Sequence, residues 1–187
     1  MYKYIKRILD IVFGLIFIVL MFPFYCLIPI IIFLQDRFNP IFKQKRVGRN
    51  GIEFDFYKFR SMTIDTPDVE STDKLSLKIT PFGKIIRSTN LDELPQVFNI
   101  LKGDMSWIGP RPPIISQTNL IKIRELNKSL NLKPGLTGWA QVNSFDNMPE
   151  EVKAQFDGEY VEKISLYFDF IIMMRTFVYF SKKSPTY

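Results

Sequence analysis

From Ile11 to Leu34 the chain reads IVFGLIFIVLMFPFYCLIPIIIFL, without one charged side chain. As a straight helix at about 1.5 Å per residue, this run would reach roughly 36 Å, enough to cross the hydrocarbon core of a bilayer. A secretory leader is shorter and ends in small residues. A helix buried in a soluble core is seldom apolar on every face for this length. The run therefore predicts membrane insertion, but two features argue against a plain span. Pro23 and Pro29 interrupt it, and a proline inside a helix removes a backbone bond and bends the axis. Both flanks are basic: Lys3, Lys6 and Arg7 precede the run, and Arg37, Lys43, Lys45, Arg46 and Arg49 follow it. Lysine and arginine are retained on the cytoplasmic side, which places both ends on one face. The pattern predicts a re-entrant helix that enters, turns at Pro23 and returns. Its freed backbone groups would be met by protein or interfacial water.

The remainder of the 187 residues has room for one domain with its own core. Although 47% of the residues are hydrophobic, the net charge is +6, which favours an anionic partner. Nucleic acid, a phospholipid surface and a small phosphorylated substrate all qualify. Nucleic acid ranks low, because the lysines flank an apolar segment and no RNA- or DNA-binding module is visible. The chain has no histidine, so base and metal-ligand chemistry falls to carboxylates, Lys, Arg, Tyr and hydroxyls. Cys26 is the single cysteine; it excludes an internal disulfide and a thiolate metal cluster, and fits a reducing, cytoplasmic setting.

Behind the apolar run, Phe54, Phe56 and Phe59 read as strand, and Asn50-Gly51 is a hairpin turn signal. Residues 63–73 are polar and acidic, a surface loop. WIGPRPP (107–113) and LKPGLTGWAQVN (132–143) are too rich in Gly and Pro for long elements. Their Trp107, Arg111 and Trp139 favour ordered loops. Regions 115–131 and 149–163 read as polar-faced helices. The stretch 164–180 is apolar nearly all round except for Asp169 and Arg175, which suits a helix in the membrane interface or beneath the domain. The C-terminal SKKSPTY reads as a solvated tail.

In NLDELPQVFN, residues 90–99, two carboxylates stand side by side where a helix begins. Leu91, Leu94, Val97, Phe98 and Leu101 share one helical face, with Asp92, Gln96 and Asn99 opposite, Glu93 at the edge, and Lys102-Gly103 as the stop. Pro95 leaves two starts open, at Asn90 or at Pro95 itself. Local pattern alone favours a capping box between Asn90 and Glu93, with acids placed to meet the helix dipole. The alternative is chemistry. An aspartate can attack phosphorus and form an acyl phosphate, while a second carboxylate holds a divalent cation and guanidinium groups meet the developing charge.

YKFRSM, LDELPQVFNILKGDMSWIGPRP and KPGLTGWAQVN, in this order behind a basic-flanked apolar segment, resemble the bacterial sugar transferase family. More narrowly, they resemble its small monotopic members, the polyprenyl-phosphate phosphoglycosyl transferases. The resemblance implies that Asp92 and Glu93 are catalytic. Asp92 would attack the sugar-bearing phosphate of a UDP-sugar donor and release UMP. Glu93 would bind Mg2+. Arg87 and Arg111 match family positions near the phosphates, as does Lys58 more weakly. A polyprenyl phosphate, typically undecaprenyl phosphate, would then accept the phospho-sugar as the first step of a surface glycan. Asp157 and Asp169 fall at acidic family positions, in the site or in the framework. The family also implies a re-entrant helix on the cytoplasmic face of the bacterial plasma membrane, in contact with membrane lipids. Two departures stand out. Phe22-Pro23 replaces the family's frequent Ser-Pro, and SFDNMPEE lacks the usual glycine-arginine continuation. The sugar is therefore left open, as is the oligomeric state.

The expected architecture is α+β. A membrane-inserted re-entrant helix-break-helix spans residues 1–36. A catalytic domain of helices with a β-hairpin and interfacial amphipathic helices spans 37–187. Two other functions remain in play: direct transfer from nucleotide sugar to lipid with Asp92 as base or metal ligand, and an inactive membrane scaffold.

Overall fold

The computed structural model describes residues 1–63, 78–145 and 148–181. The polar loop expected over 63–73 falls, past Thr63, outside these residues, as does the tail after Ser181. Helix α1 runs Tyr2–Asp36 as one element past Pro23 and Pro29, so the helix-break-helix expected at Pro23 is not visible as a break in it. Arg37, left-handed at φ 56°, closes it by returning its N–H to the Phe33 carbonyl at 2.7 Å. The helix is long and apolar enough to cross a membrane by length and composition.

One stripe of α1 is nevertheless bound to the rest of the protein at both ends. Near its start, Arg7 donates to the carbonyls of Ile100 and Leu101 at 2.6 and 2.7 Å. Asp10, buried, accepts from Ser106 Oγ at 2.9 Å and from the Trp107 N–H at 3.2 Å, and the Trp107 indole donates to the Asp10 carbonyl. In its second half, Tyr25 Oη donates to the Leu94 carbonyl at 2.7 Å, and Ile28 and Ile32 enter a core with Phe59, Ile86 and Leu94. The opposite stripe faces outward: Val19 is 74% and Leu20 65% exposed.

Strands β1 (Ile41–Val47) and β2 (Glu53–Phe59) pair antiparallel from Ile41↔Phe59 to Val47↔Glu53. The turn between them carries Asn50 and Gly51 at φ 57° and 78°, the left-handed backbone that this dipeptide tolerates. Phe54 and Phe56 pack with Ile100 and Met105 on one face of β2, whereas Phe59 joins the α1 core on the other. The apolar alternation shifts at Phe59 because α1 covers that side.

Helix α2 (Pro81–Ser88) has Pro81 in its first turn and is capped by Thr80, whose Oγ1 accepts from the Gly83 N–H at 3.0 Å. A tight turn, Leu91–Glu93, leads to α3 (Gln96–Lys102), which stops at Gly103, φ 97°. Strand β3 (Ser106–Ile108) precedes α4 (Thr118–Leu126). Strand β4 (Gly135–Thr137) pairs parallel with β3 through Ser106↔Gly135 and Ile108↔Thr137. The Gly/Pro-rich stretches are thus ordered. A Cβ on Gly135 would overlap the backbone of Gly109, and one on Gly109 would overlap the Lys133 carbonyl.

Helices α5 (Trp139–Val142), α6 (Glu150–Lys163) and α7 (Leu166–Ser181) complete the described chain. In α7, Asp169 and Ile172 are buried while Tyr167, Phe170 and Phe177 are exposed. Asp169 ties α7 to α1, accepting from Tyr2 Oη and Lys6 Nζ, both at 2.7 Å, and from Tyr160 Oη at 2.6 Å.

Candidate active site

The Asp92-Glu93 pair does not cap a helix. Asn90 is left-handed at φ 55° and its side chain makes no capping bond. Glu93 touches Asn90 only through its own N–H, which donates to the Asn90 carbonyl at 3.1 Å. Its carboxylate points elsewhere. Of the two starts left open, the α-helix takes Pro95. This shifts the phase between 91–93 and 96–102 and breaks the single amphipathic face expected there. Phe98 is 45% exposed, while Gln96 and Asn99, expected on the polar side, are buried. Asn99 is buried because it completes the edge of β2: its Oδ1 accepts from the Tyr57 N–H at 3.2 Å and its Nδ2 donates to the Asp55 carbonyl at 2.6 Å. The helix is thereby fixed against the strand that carries Lys58.

Three of the residues singled out by sequence converge. Lys58 Nζ, from β2, and Arg111, from the loop after β3, both bond Oε1 of Glu93, at 2.7 and 2.6 Å. Lys58 Nζ also lies 3.6 Å from Oδ2 of Asp92, which is buried. Arg87 occupies the last turn of α2, and its charge also reaches Asp92.

The two neighbouring carboxyls are pushed apart. Burial lifts Asp92 above the ordinary aspartate range; Lys58 opposes this, the Glu93 charge adds to it, and Arg87 and Arg111 oppose it. Burial would raise Glu93 as well, but Arg111 and Lys58 outweigh it and hold that carboxyl far below its usual range. Glu93 is thus a fixed anion, whereas Asp92 is a buried carboxylate of raised basicity. That division suits two different tasks on adjacent residues.

Among the described residues no group of three or more His, Cys, Asp or Glu side chains is placed to hold a metal by itself. A magnesium ion needs only one or two carboxylates when substrate phosphates supply further oxygens. Glu93, held as an anion beside the buried Asp92, is the donor suited to that case.

Asp157 and Asp169 belong to the framework. Asp157 pairs with Arg124, and Asp169 holds Tyr2, Lys6 and Tyr160. Sequence reasoning missed Arg124, Asn99 and Asp10. Only Asp10 left a trace, as a lone acid bordering the apolar run. An open apolar groove of about 500 Å3 separates α1 from the hairpin, lined by Phe22, Tyr25, Tyr57, Phe59, Pro95 and Phe98 among others. Its wall includes the neighbours of Lys58 and a residue two positions beyond Glu93.

A model of the bacterial sugar transferase family matches residues 1–183. The UDP-glucose:undecaprenyl-phosphate glucose-1-phosphate transferase of Escherichia coli K12 is 35% identical over 185 residues, covering 93% of this chain and 39% of that relative. The UDP-N-acetylgalactosamine-undecaprenyl-phosphate N-acetylgalactosaminephosphotransferase of Aeromonas hydrophila is 36% identical over 183 residues, 94% of this chain and 43% of that one. The chain therefore spans about two fifths of the length of these relatives. An uncharacterized sugar transferase of Bacillus subtilis, EpsL, is 37% identical over 139 residues, 74% of this chain and 68% of EpsL. With a family match from its first residue almost to its last, the chain belongs to the bacterial sugar transferase family.

Proposed function

We propose that this protein is a phosphoglycosyl transferase that moves a phospho-sugar from a UDP-sugar to a polyprenyl phosphate, initiating a surface glycan. A single observation carries the reading. A buried aspartate of raised basicity stands beside a fixed glutamate, within the field of Lys58, Arg87 and Arg111. An Asp92 carboxylate oxygen attacks the phosphorus that bears the sugar. The bond from that phosphorus to the bridging oxygen breaks, and UMP leaves with the oxygen and its electron pair. A phosphate oxygen of the polyprenyl phosphate then attacks the same phosphorus, releasing Asp92 as carboxylate and forming a polyprenyl diphosphate sugar. Splitting one transfer into two lowers each barrier. Lys58, Arg87 and Arg111 bind the phosphate oxygens and stabilise their charge. Glu93 would hold Mg2+, which when bound would neutralise phosphate charge.

We place the protein on the cytoplasmic face of the membrane, inserted without crossing it. Asp10 and Tyr25 lie about 22 Å apart along a straight helix, and each is bonded to the same domain. A perpendicular span would pull that domain through the bilayer, whereas a course that stays on one side of it keeps both ends and their basic flanks together. Asp169 ties α7 to the start of α1, and the exposed apolar side chains of both helices would contact lipid. The apolar groove beside α1 gives an isoprenoid chain a path towards the dyad. Direct transfer with Asp92 as general base is favoured by the same raised basicity, and a covalent adduct separates the two.

The test is UMP release by purified wild type and Asp92→Asn supplied with Mg2+, undecaprenyl phosphate and a panel of UDP-sugars. Release with one donor, abolished in the variant, is expected and identifies the sugar. Undiminished release by Asp92→Asn would overturn the assignment.

A further inference from the structure

We infer that Arg124 and Asp157 are positioning residues for Arg111, holding the backbone from which its guanidinium reaches the dyad. The inference rests on the reading of Arg111 as a phosphate-binding group. Arg124, on α4, and Asp157, on α6, are almost completely buried, with side chains 4% and 1% exposed. Arg124 Nε and Nη2 both meet Oδ2 of Asp157, at 2.8 and 2.6 Å. The remaining guanidinium nitrogen, Nη1, donates to the carbonyl of Arg111 at 2.8 Å.

That carbonyl belongs to the loop Gly109–Pro113, where Pro110, Pro112 and Pro113 offer no N–H. The loop cannot hold itself by its own ladder; past the Gly109 N–H, which donates to the Thr137 carbonyl at 2.9 Å, it is held through its carbonyls. Pro110 O accepts from the Gly135 N–H at 2.9 Å, Pro112 O from Arg46 at 3.3 Å, and Pro113 O from the Val47 N–H at 3.0 Å. Arg124 supplies the donor at the central position. Prolines fix φ at 110 and 112, so the Arg111–Pro112 peptide plane is the joint left to set, and its oxygen is the one Arg124 grips. The Arg111 side chain is long and 42% exposed; where it can reach depends on that plane.

Stability alone is a poor reason for such a pair. Removing two charges from water is costly, and well-packed apolar residues commonly serve as well. What apolar residues cannot supply is a fixed donor for the Arg111 carbonyl. Helices α4 and α6, which carry none of the converging side chains, thereby act on the site.

The test uses the full chain in nanodiscs with Arg124→Met/Asp157→Leu, and with Arg124→Lys as the milder variant should the double one fail to fold. Arg111 modification by phenylglyoxal is followed peptide by peptide, and kcat and donor KM are measured in the wild-type and Arg111→Lys backgrounds. Arg111 is expected to react several-fold faster in both variants. Turnover in the wild-type background should fall about 10- to 100-fold, as for a misplaced catalytic group. In the Arg111→Lys background the further loss should be under about threefold, because the two changes act through one group. Equal losses in both backgrounds, or an unchanged Arg111 modification rate, would overturn the inference. If wild type transfers nothing from any donor, the transferase reading falls, and the modification rate alone decides the positioning role.

Discussion

Replacing Arg7 by methionine tests whether α1 is part of the fold or only its anchor. The guanidinium bonds the last-turn carbonyls of α3 at 2.6 and 2.7 Å. Bonds of this kind from a charged group contribute about 1.5–3 kcal/mol each, and a cation at a helix C-terminus adds about 0.3–1 kcal/mol. Methionine keeps the stem and its packing but removes both donors. Water recovers part of the loss at this half-buried site, leaving a destabilisation of about 3 kcal/mol. At about 2–4 °C per kcal/mol for a chain of this size, the apparent Tm should fall by about 6–12 °C. Thermal unfolding of nanodisc-embedded protein, followed by intrinsic fluorescence, reads this directly. Lys3→Met, at an exposed position of the same helix, serves as control and should leave Tm unchanged. A shift no larger than the control's would mean that the start of α1 is not docked on α3, and the case against a perpendicular span would lose half its support.

Other consequences can be checked separately. Because burial raises Asp92 and the attacking form is the carboxylate, activity should fall as pH drops through an acid limb above the ordinary aspartate range. Lys58→Met removes the strongest opposing charge. The limb should move to higher pH, on top of a pH-independent loss from the missing phosphate contact; an acid limb left where it stands in wild type would contradict this. Glu93→Gln should raise the Mg2+ concentration for half-maximal rate by about tenfold or more, and an unchanged Mg2+ dependence would remove Glu93 from the metal's donor set. Val19→Asp/Leu20→Asp places two charges on the outward stripe, at a cost of about 5–7 kcal/mol if that stripe lies in hydrocarbon. In vesicle flotation this variant should leave the membrane fraction, whereas Leu126→Asp, at an 82% exposed position of α4, should not.

Much of the fold was legible where short-range rules decide it. The Asn50-Gly51 turn, the strand at Phe54 and Phe56 and the helices over 150–163 and 166–181 follow from turn chemistry and periodicity. The capping box between Asn90 and Glu93 failed because a long-range pair won: Lys58 and Arg111, 35 and 18 residues away, take the carboxylate that local pattern gives to the cap. The buried polar face of α3 was missed for the same reason, since Asn99 serves a strand edge more than 40 residues upstream. The motifs brought Lys58, Glu93 and Arg111 forward without saying that they meet on one oxygen. Arg124 had no local signal at all; its partners are Asp157 and a carbonyl in a proline-rich loop, and nothing in its own neighbourhood betrays either.

The central claim is that Asp92 carries the phospho-sugar between donor and acceptor. Wild-type protein incubated with Mg2+ and its UDP-sugar, without polyprenyl phosphate, should gain the mass of one phospho-sugar on the peptide containing Asp92. Adding the acceptor should discharge it, and Asp92→Asn should never acquire it. UMP release that requires both substrates together, with no adduct trapped at any time, would contradict the account and assign Asp92 to direct transfer.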